Sequence, residues 1–341
     1  DVTVGGLLSI SSDDTDQASG LFANTRNRGD SGVIDLAASV IEMTGNASVE
    51  TRSSSIGNGG RITMAAEQSI TLFGILGGRD SGGVLIRQGT LDAGSDATNA
   101  GSIHVSAPLV ALDGHFTIQS DTRGSADGGS IRLDVDDLLM TGSAQITAET
   151  GNDFRGGDIG GVGEASNILI NASNNITLIS ENKNTFERAN QTYISVNAQK
   201  GGRSGNLTLN ARSVLLDGAN LLATANQTAA DPGAITITAA ESLTMTNGAA
   251  IESAINDNFS AGADIIIDTG VLSMDNAAQI SSNTLQSNGN LSILTGQAGS
   301  IFITADQLSI ENSVIEANSC GCSAGAAGDI FVNVSDLISI E

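Results

Sequence analysis

The chain has few of the large side chains from which compact globular cores are usually built. It contains no Trp, one Tyr and eight Phe, and only two Pro. Glycine contributes 42 residues, yet the hydrophobic fraction is still 40%. An aromatic core is therefore disfavoured. Wholesale disorder is disfavoured as well, because this much Ile, Leu, Val and Ala can bury a large surface. The composition predicts a narrow, aliphatic core.

Basic residues are scarce as well. Only 14 Lys and Arg residues stand against 38 Asp and Glu, which gives a formal net charge of −24. Nucleic acids and anionic membranes need a positive surface, so the charge balance argues against both as partners. An acidic exterior favours high solubility and leaves open the binding of divalent cations or cationic surfaces.

Cysteine is limited to Cys320 and Cys322. Two thiols give no disulfide framework in a chain of this length, and they are fewer than the four ligands of a structural zinc site. So little cysteine fits an exported protein. The pair could form a strained local disulfide, a cross-link between two chains or two free thiols, and in an oxidising exterior we expect a disulfide, either within one chain or between two.

Long hydrophobic runs are also missing. No stretch of 18 apolar residues predicts a transmembrane helix, so we expect no membrane insertion. Residues 1–6 have neither the basic start nor the apolar segment of a signal peptide. Because the sequence begins and ends in repeat-like segments, we expect a mature or excised part of something longer.

A repeat dominates what the sequence does contain. The motif Gly-x-(Ile/Leu)-x-apolar begins at Gly32, Gly60, Gly101, Gly129, Gly205, Gly233, Gly299 and Gly328. Two further pairs, Ile168/Ile170 and Ile265/Ile267, fill the wide gaps without the glycine. From the first glycine to the last is 296 residues over nine intervals, a mean of about 33. Alternation with period two predicts strands and excludes a helical repeat.

Each copy carries two more apolar segments. A second pair follows seven or eight residues after the first, as in Ile70/Leu72, and a third segment reads small-x-apolar, as in residues 142–146. Three short strands separated by bends cannot pair within one turn, so each pairs with its equivalent one turn later. The sequence therefore predicts an all-β fold. It is a single continuous parallel β-helix over residues 1–341, with about ten turns and three short strands per turn.

The longer intervals between copies predict insertions that project from one edge of the shaft. Binding surfaces of solenoids are often built from such loops or from one sheet face. The insertions are expected at Phe73–Gly83, Glu149–Gly163, Ser180–Gln191, Ser281–Ala298 and Ser319–Ala327.

The repeats resemble those of filamentous-haemagglutinin-like proteins, which are two-partner secretion exoproteins. The phrases that carry the resemblance lie at Gly57–Ala66, Gly233–Ala239 and Gly299–Ile310. The resemblance implies a right-handed parallel β-helix at the bacterial cell surface, exported through an outer-membrane transporter barrel. It also implies that the partners are cell-surface or matrix glycans and proteins, and that the protein acts in adhesion, biofilm formation or toxin delivery. It concerns the repeat shaft, since neither a secretion domain nor a toxin domain is recognisable in the sequence.

Several residues are candidates for a chemical role. Arg132, Asp134 and Asp136 share one outward face, with Asp137 beside them, and are the nearest match to the acidic sites of β-helix polysaccharide lyases. Asp13, Asp14 and Asp16 form an acidic loop that could hold calcium, and no other cofactor is predicted. His104 alternates outward between two apolar residues, which indicates a surface position and not a metal ligand.

The sequence as a whole predicts an extracellular structural or adhesive shaft, not an enzyme. The first alternative is a self-assembling filament subunit, because no polar cap is visible at residues 338–341 and open strand edges favour end-to-end assembly. The second alternative is a polysaccharide lyase or hydrolase built on the same fold.

Overall fold

A computed structural model describes most of the chain. The described residues are 1–13, 19–25, 29–53, 57–75, 83–88, 101–122, 127–150, 163, 165–181, 191–198, 202–226, 232–256, 262–284, 297–319 and 326–341. Their regular secondary structure consists of 23 strands, which are numbered in chain order below. None of them forms a helix long and apolar enough to span a membrane.

The strands form two large sheets and one small one. The long sheet contains β1 (Val2–Ser12), β3 (Val33–Gly45), β5 (Arg61–Gly74), β7 (Ser102–Gly114), β9 (Ile131–Met140), β11 (Ile168–Ile179), β13 (Leu207–Asp217), β16 (Ile235–Thr246), β19 (Ile265–Met274), β21 (Ile301–Ile310) and β23 (Ile330–Ile340). The second sheet contains β2 (Ser19–Phe22), β4 (Ala47–Ser53), β6 (Gly83–Gln88), β8 (Thr117–Thr122), β10 (Gln145–Thr147), β12 (Tyr193–Ser195), β14 (Asn220–Leu222), β17 (Ala250–Glu252), β20 (Gln279–Ser281) and β22 (Val314–Glu316). The small sheet pairs β15 (Ala225–Asn226) with β18 (Ile255–Asn256).

Every pairing between these strands is parallel and joins equivalent strands of successive turns. Ile131, for example, lies beside Ile103 of the preceding turn and Ile168 of the following one. This pattern defines a parallel β-helix and confirms the predicted fold. Ten spacings of about 4.8 Å across the long sheet give a rod about 48 Å long.

The core consists of inward rows of aliphatic side chains that run along the rod. Strict alternation sends every second residue of a strand inward, so each repeat adds one side chain to each row. The first row contains Ile34, Ile62, Ile103, Ile131, Ile168, Leu207, Ile235, Ile265 and Ile301, all buried. Burial of each such side chain stabilises the fold by about 1.5–3 kcal/mol. The predicted inward positions of Ile131, Ile235 and Ile301 are confirmed.

The strand count per turn differs from the expectation of three short strands. The first and second apolar pairs of a copy lie in one long strand, as Ile62/Met64 and Ile70/Leu72 do in β5. A register irregularity, here between Ala65 and Ser69, separates them. The backbone stays extended through this bulge, so the strand bends without ending. The third segment forms the second sheet.

The long sheet has eleven strands, one more than the ten copies of the motif. The additional strand is β1, whose Val2 pairs with Leu36, the second apolar residue of the motif in β3. Val2, Val4, Leu8 and Ile10 of β1 are partly buried against the core. β1 therefore forms a further rung whose inward residues continue the rows of the core.

The motif glycine is explained by the close approach of successive turns. A Cβ added to Gly129 would lie 1.7 Å from the carbonyl oxygen of Gly101 and 2.2 Å from the hydroxyl of Ser120. No side chain fits such a space without moving backbone. In the two copies without the glycine, Ser166 and Ala263 take the equivalent position, so only some turns impose the restriction.

Candidate functional site on the outer face of the long sheet

The outward face of the long sheet carries a row of polar side chains on successive turns. The row runs through Ser106, Asp134, Asn171, Asn210 and Thr238, each the register partner of the one before. Alternation places these residues outward because their neighbours in each strand point into the core. The parallel register therefore stacks equivalent side chains about 4.8 Å apart.

Asp134 is the centre of a hydrogen-bonded group on this row, here named the Asp134 cluster. Arg132 donates to Asp134 through Nε, 2.6 Å from Oδ2, and through a terminal guanidinium nitrogen, 2.9 Å from Oδ1. His104 Nε2 lies 2.9 Å from Oδ2. Asn171 donates to Oδ1 across 2.9 Å, and Asn210 donates to the Oδ1 of Asn171 across 2.9 Å. The cluster thus links four successive turns.

The electrostatics of the cluster keep its carboxylate ionised. The hydrogen bond from Arg132 lowers the pKa of Asp134 well below its ordinary value. Partial burial opposes this, while hydrogen bonds from Asn171 and His104 lower the pKa further. A carboxylate with so low a pKa is a weak base at neutral pH and has no proton to donate. Asp134 is therefore suited to holding neighbouring side chains in place and unsuited to general acid–base chemistry.

The next two aspartates of β9 also bind the following turn. Ser173 donates to Asp136 Oδ1 across 2.5 Å. Asn175 donates to Asp137 Oδ1 through its side chain at 2.8 Å, and Asn174 donates to Oδ2 at 3.3 Å. Each carboxylate of this segment therefore fixes amide or hydroxyl groups one turn away.

A groove runs along the rod where the long strands bend. One part of it has a volume of about 580 Å³ and lies between the polar row and the residues of the bulge. Buried small side chains, including Ala107, Val135 and Ala172, line its base. A neighbouring part of about 340 Å³ shares Ser173 and Asn210 with the first. We call the two parts together the bend groove.

The structure confirms the face predicted for the acidic residues of β9. Arg132 and Asp136 are exposed and Asp134 is half-buried, all on the outward side. His104 also faces outward, as expected, but its hydrogen bond to Asp134 was not predicted. Asn171 was missed as well. Aligning the copies by their first apolar residue would have placed it, because it stands three residues after Ile168 as Asp134 does after Ile131.

The two remaining site predictions fall largely outside the described residues. Of the calcium loop, only Asp13 is described, and it is exposed. Asp14 and Asp16 lie outside, as do Cys320 and Cys322 and most of the predicted insertions. In the described part of the chain, no group of three or more His, Cys, Asp or Glu residues is placed to hold a metal ion.

Comparison with known proteins adds no relative. A scan against protein-family models, a search of curated proteins and a search of solved structures found no match. The resemblance to filamentous haemagglutinins therefore rests on the repeat residues themselves and stays a prediction.

Acid titration tests the electrostatics of the Asp134 cluster. Because the folded pKa of Asp134 lies below the unfolded value of about 3.9, its ionic contribution to stability is complete at neutral pH. The contribution falls as the pH drops below about 4 towards the folded pKa. We expect Asp134→Asn to lower the free energy of unfolding at pH 7 and to lower it less at pH 3, as measured by urea denaturation.

Asp268→Asn is the matched control for this titration. Asp268 lies on the same outward row, but the residue two places before it is Ile266 instead of an arginine. At each pH, the unfolding free energy of a variant is subtracted from that of wild type, so that the acid response shared by the other carboxylates cancels. A stability difference between wild type and Asp134→Asn that stays constant from pH 7 to pH 3 would contradict the assigned role of Arg132.

Proposed function

We propose that the chain is the shaft of an extracellular surface protein, with a structural and adhesive role and no catalytic one. The observation that carries the proposal is the continuous ladder of eleven parallel strands in the long sheet. A ladder of this kind forms a narrow rod with a long side face. Such a rod can keep a cell at a distance from the surface to which the cell attaches. Loops and sheet faces along such a rod are then available to partners.

The composition supports an exterior setting. The net charge of −24 favours solubility and discourages collapse onto anionic membranes. The near absence of cysteine fits a protein that passes through an oxidising compartment without a disulfide framework. The resemblance to filamentous haemagglutinins supports the same location and adds the outer-membrane transporter as the partner for export.

Self-association is the alternative function, and the exposed edge of β23 favours it. Val332, Ile338 and Ile340 occupy inward rows, yet they are 41%, 54% and 69% exposed, because no strand among the described residues lies on that side of β23. An uncovered strand edge with apolar side chains is a template for another strand. A second copy stacked there would continue the rod, and electron micrographs of purified protein would then contain long polymers of uniform width.

The proposed location is tested on cells that produce the protein. Antibodies against the purified chain are applied to intact cells and to lysed cells, with a cytoplasmic marker as the control. We expect labelling of the intact surface at a level close to that of lysed cells. Labelling that requires lysis would contradict an extracellular shaft.

The proposed adhesive role is tested with beads that carry the purified chain. We expect these beads to attach to the matrix or surface of the producing cells, and beads with the urea-unfolded chain to attach at background level. Equal attachment of the two bead types would contradict a role for the folded shaft.

A further inference from the structure

We propose that the bend groove binds an uncharged polysaccharide chain that lies parallel to the axis of the β-helix. This inference deepens the proposed adhesive function, since it names the class of ligand that the shaft would hold. It rests on the shape of the groove, on the hydrogen-bonding groups that line it and on its charge.

The shape of the groove favours a polymer. Its lining residues come from six successive strands of the long sheet, from Ala66 in β5 to Thr238 in β16. Five spacings of about 4.8 Å give a length of about 24 Å. The groove is open to solvent along its side, so a long chain can enter without an end being threaded. Small-molecule sites, by contrast, enclose most of their ligand.

The lining presents hydrogen-bonding groups at each turn. Asn171 uses one N–H towards Asp134 and accepts one bond from Asn210, so its amide retains a further donor and a further acceptor position. Ser106 and Ser173 add hydroxyl groups on the two sides of the groove. Sugar hydroxyls both donate and accept, and an amide with one donor and one acceptor position to spare can serve both functions.

The side chains are held in place before any ligand arrives. Asp134 is fixed by Arg132, His104 and Asn171, and Ser173 is fixed by Asp136. Because these side chains have already lost rotamer freedom in the free protein, ordering them adds little entropy cost when a ligand binds. The ladder of cross-turn hydrogen bonds therefore acts as a pre-organised surface, which is the arrangement that recognition of a flexible, hydrated chain requires.

The charge of the groove excludes an acidic polysaccharide. Asp134 and Asp136 line it, and Arg212, the one cationic side chain among the described residues of the lining, is paired with Glu241 across 3.1 Å. No lining cation is therefore left over for uronate or sulfate groups. The net charge of −24 on the whole chain would repel a polyanion further.

The lining also predicts how affinity depends on ligand length. It contains no aromatic ring, so a sugar cannot gain the stacking energy that an aromatic platform would supply. Each turn contributes a few weak hydrogen bonds, and these act together only on a chain that spans several turns. A polymer should therefore bind much more tightly than the corresponding disaccharide.

The experiment measures binding of the purified chain to a panel of polysaccharides by affinity electrophoresis and calorimetry. The probes are dextran, a mannan, a β-glucan and a galactan as uncharged chains, with polygalacturonate, chitosan and an extended neutral peptide as the comparison. We expect at least one uncharged polysaccharide to bind and its disaccharide to bind at least tenfold more weakly. Binding confined to polygalacturonate, chitosan or the peptide, or no binding at all, would overturn the inference.

Variants locate the binding on the bend groove. Ser173→Tyr fills the groove with a ring, and Ser106→Tyr does the same from the opposite side if the first variant folds poorly. Thr71→Tyr places the same ring on an exposed outward position outside the lining. We expect at least a tenfold loss of affinity for the groove variants and a change of less than twofold for Thr71→Tyr, with unchanged circular dichroism. Equal affinity of Ser173→Tyr and wild type would place the ligand elsewhere.

The bead assay separates failure of this inference from failure of the proposed function. If beads attach and the uncharged polysaccharide neither binds nor competes, the shaft is adhesive and the groove is not its ligand site. If the polysaccharide binds but the beads do not attach, the groove is a glycan site and the adhesive role is wrong.

Discussion

Ile265→Ala is expected to lower the free energy of unfolding by about 2–5 kcal/mol, the usual loss when a large aliphatic side chain is removed from a core. Ile265 is fully buried in the first inward row, between Ile235 and Ile301. Its loss would leave a cavity in a close-packed core. The measurement is urea denaturation followed by far-ultraviolet circular dichroism.

The matched control is the next residue of the same strand. Ile266 has the same side chain but points outward and is 40% exposed. We expect Ile266→Ala to cost less than about 1 kcal/mol, as exposed substitutions usually do. If the two variants lose the same stability, the inward and outward assignment of β19 is wrong, since nothing else in the strand distinguishes these neighbours.

Gly129→Ala is expected to destabilise the protein by about 3 kcal/mol or more. The added methyl group would meet the carbonyl oxygen of Gly101 at 1.7 Å, a contact that only backbone movement can relieve. Overpacking in a well-packed interior typically costs about 1–3 kcal/mol, and a clash with backbone lies at or above the upper end. The effect is measured as the shift in the unfolding midpoint and in the fraction of soluble protein.

Gly6→Ala provides the comparison for a glycine without this restriction. Apart from Gly6 itself and its two chain neighbours, no residue comes within 4 Å of a Cβ built on Gly6, which stands at the irregularity of β1. We expect its unfolding free energy to stay within about 0.5 kcal/mol of wild type. A Gly129→Ala protein as stable as Gly6→Ala would mean that successive turns are further apart than the parallel ladder requires.

Much of the fold could be predicted from the residues because a solenoid repeats its local signals. The alternation in Ile131–Leu133 and Ile301–Ile303 predicts the strands and their inward sides, and the recurrence of the motif predicts the parallel pairing. The joining of two predicted strands into one could not be predicted. The same apolar spacing is compatible with a sharp corner or with a bulge inside a continuous strand.

The candidate site was only half predictable for a different reason. Asp134 and Arg132 were found because they stand two residues apart on one strand. His104 lies 30 residues before Asp134 and Asn171 lies 37 residues after it, and insertions make these separations unequal. The separation along the chain alone does not show that these side chains meet, and only an alignment of the copies by their first apolar residues places them on adjacent turns. The bend groove depends on the bulge as well, so it was not foreseen.

Distances between spin labels along one outward row test the parallel ladder most directly. Thr71, Thr244 and Ser309 lie on the same row, with five turn spacings between the first and second and seven between the first and third. In a Cys320→Ser, Cys322→Ser background, the pairs Thr71→Cys/Thr244→Cys and Thr71→Cys/Ser309→Cys are labelled with nitroxides. At about 4.8 Å per turn, the separations should be about 24 Å and about 34 Å. Separations that do not grow with the number of intervening turns would contradict the β-helix and everything built on it.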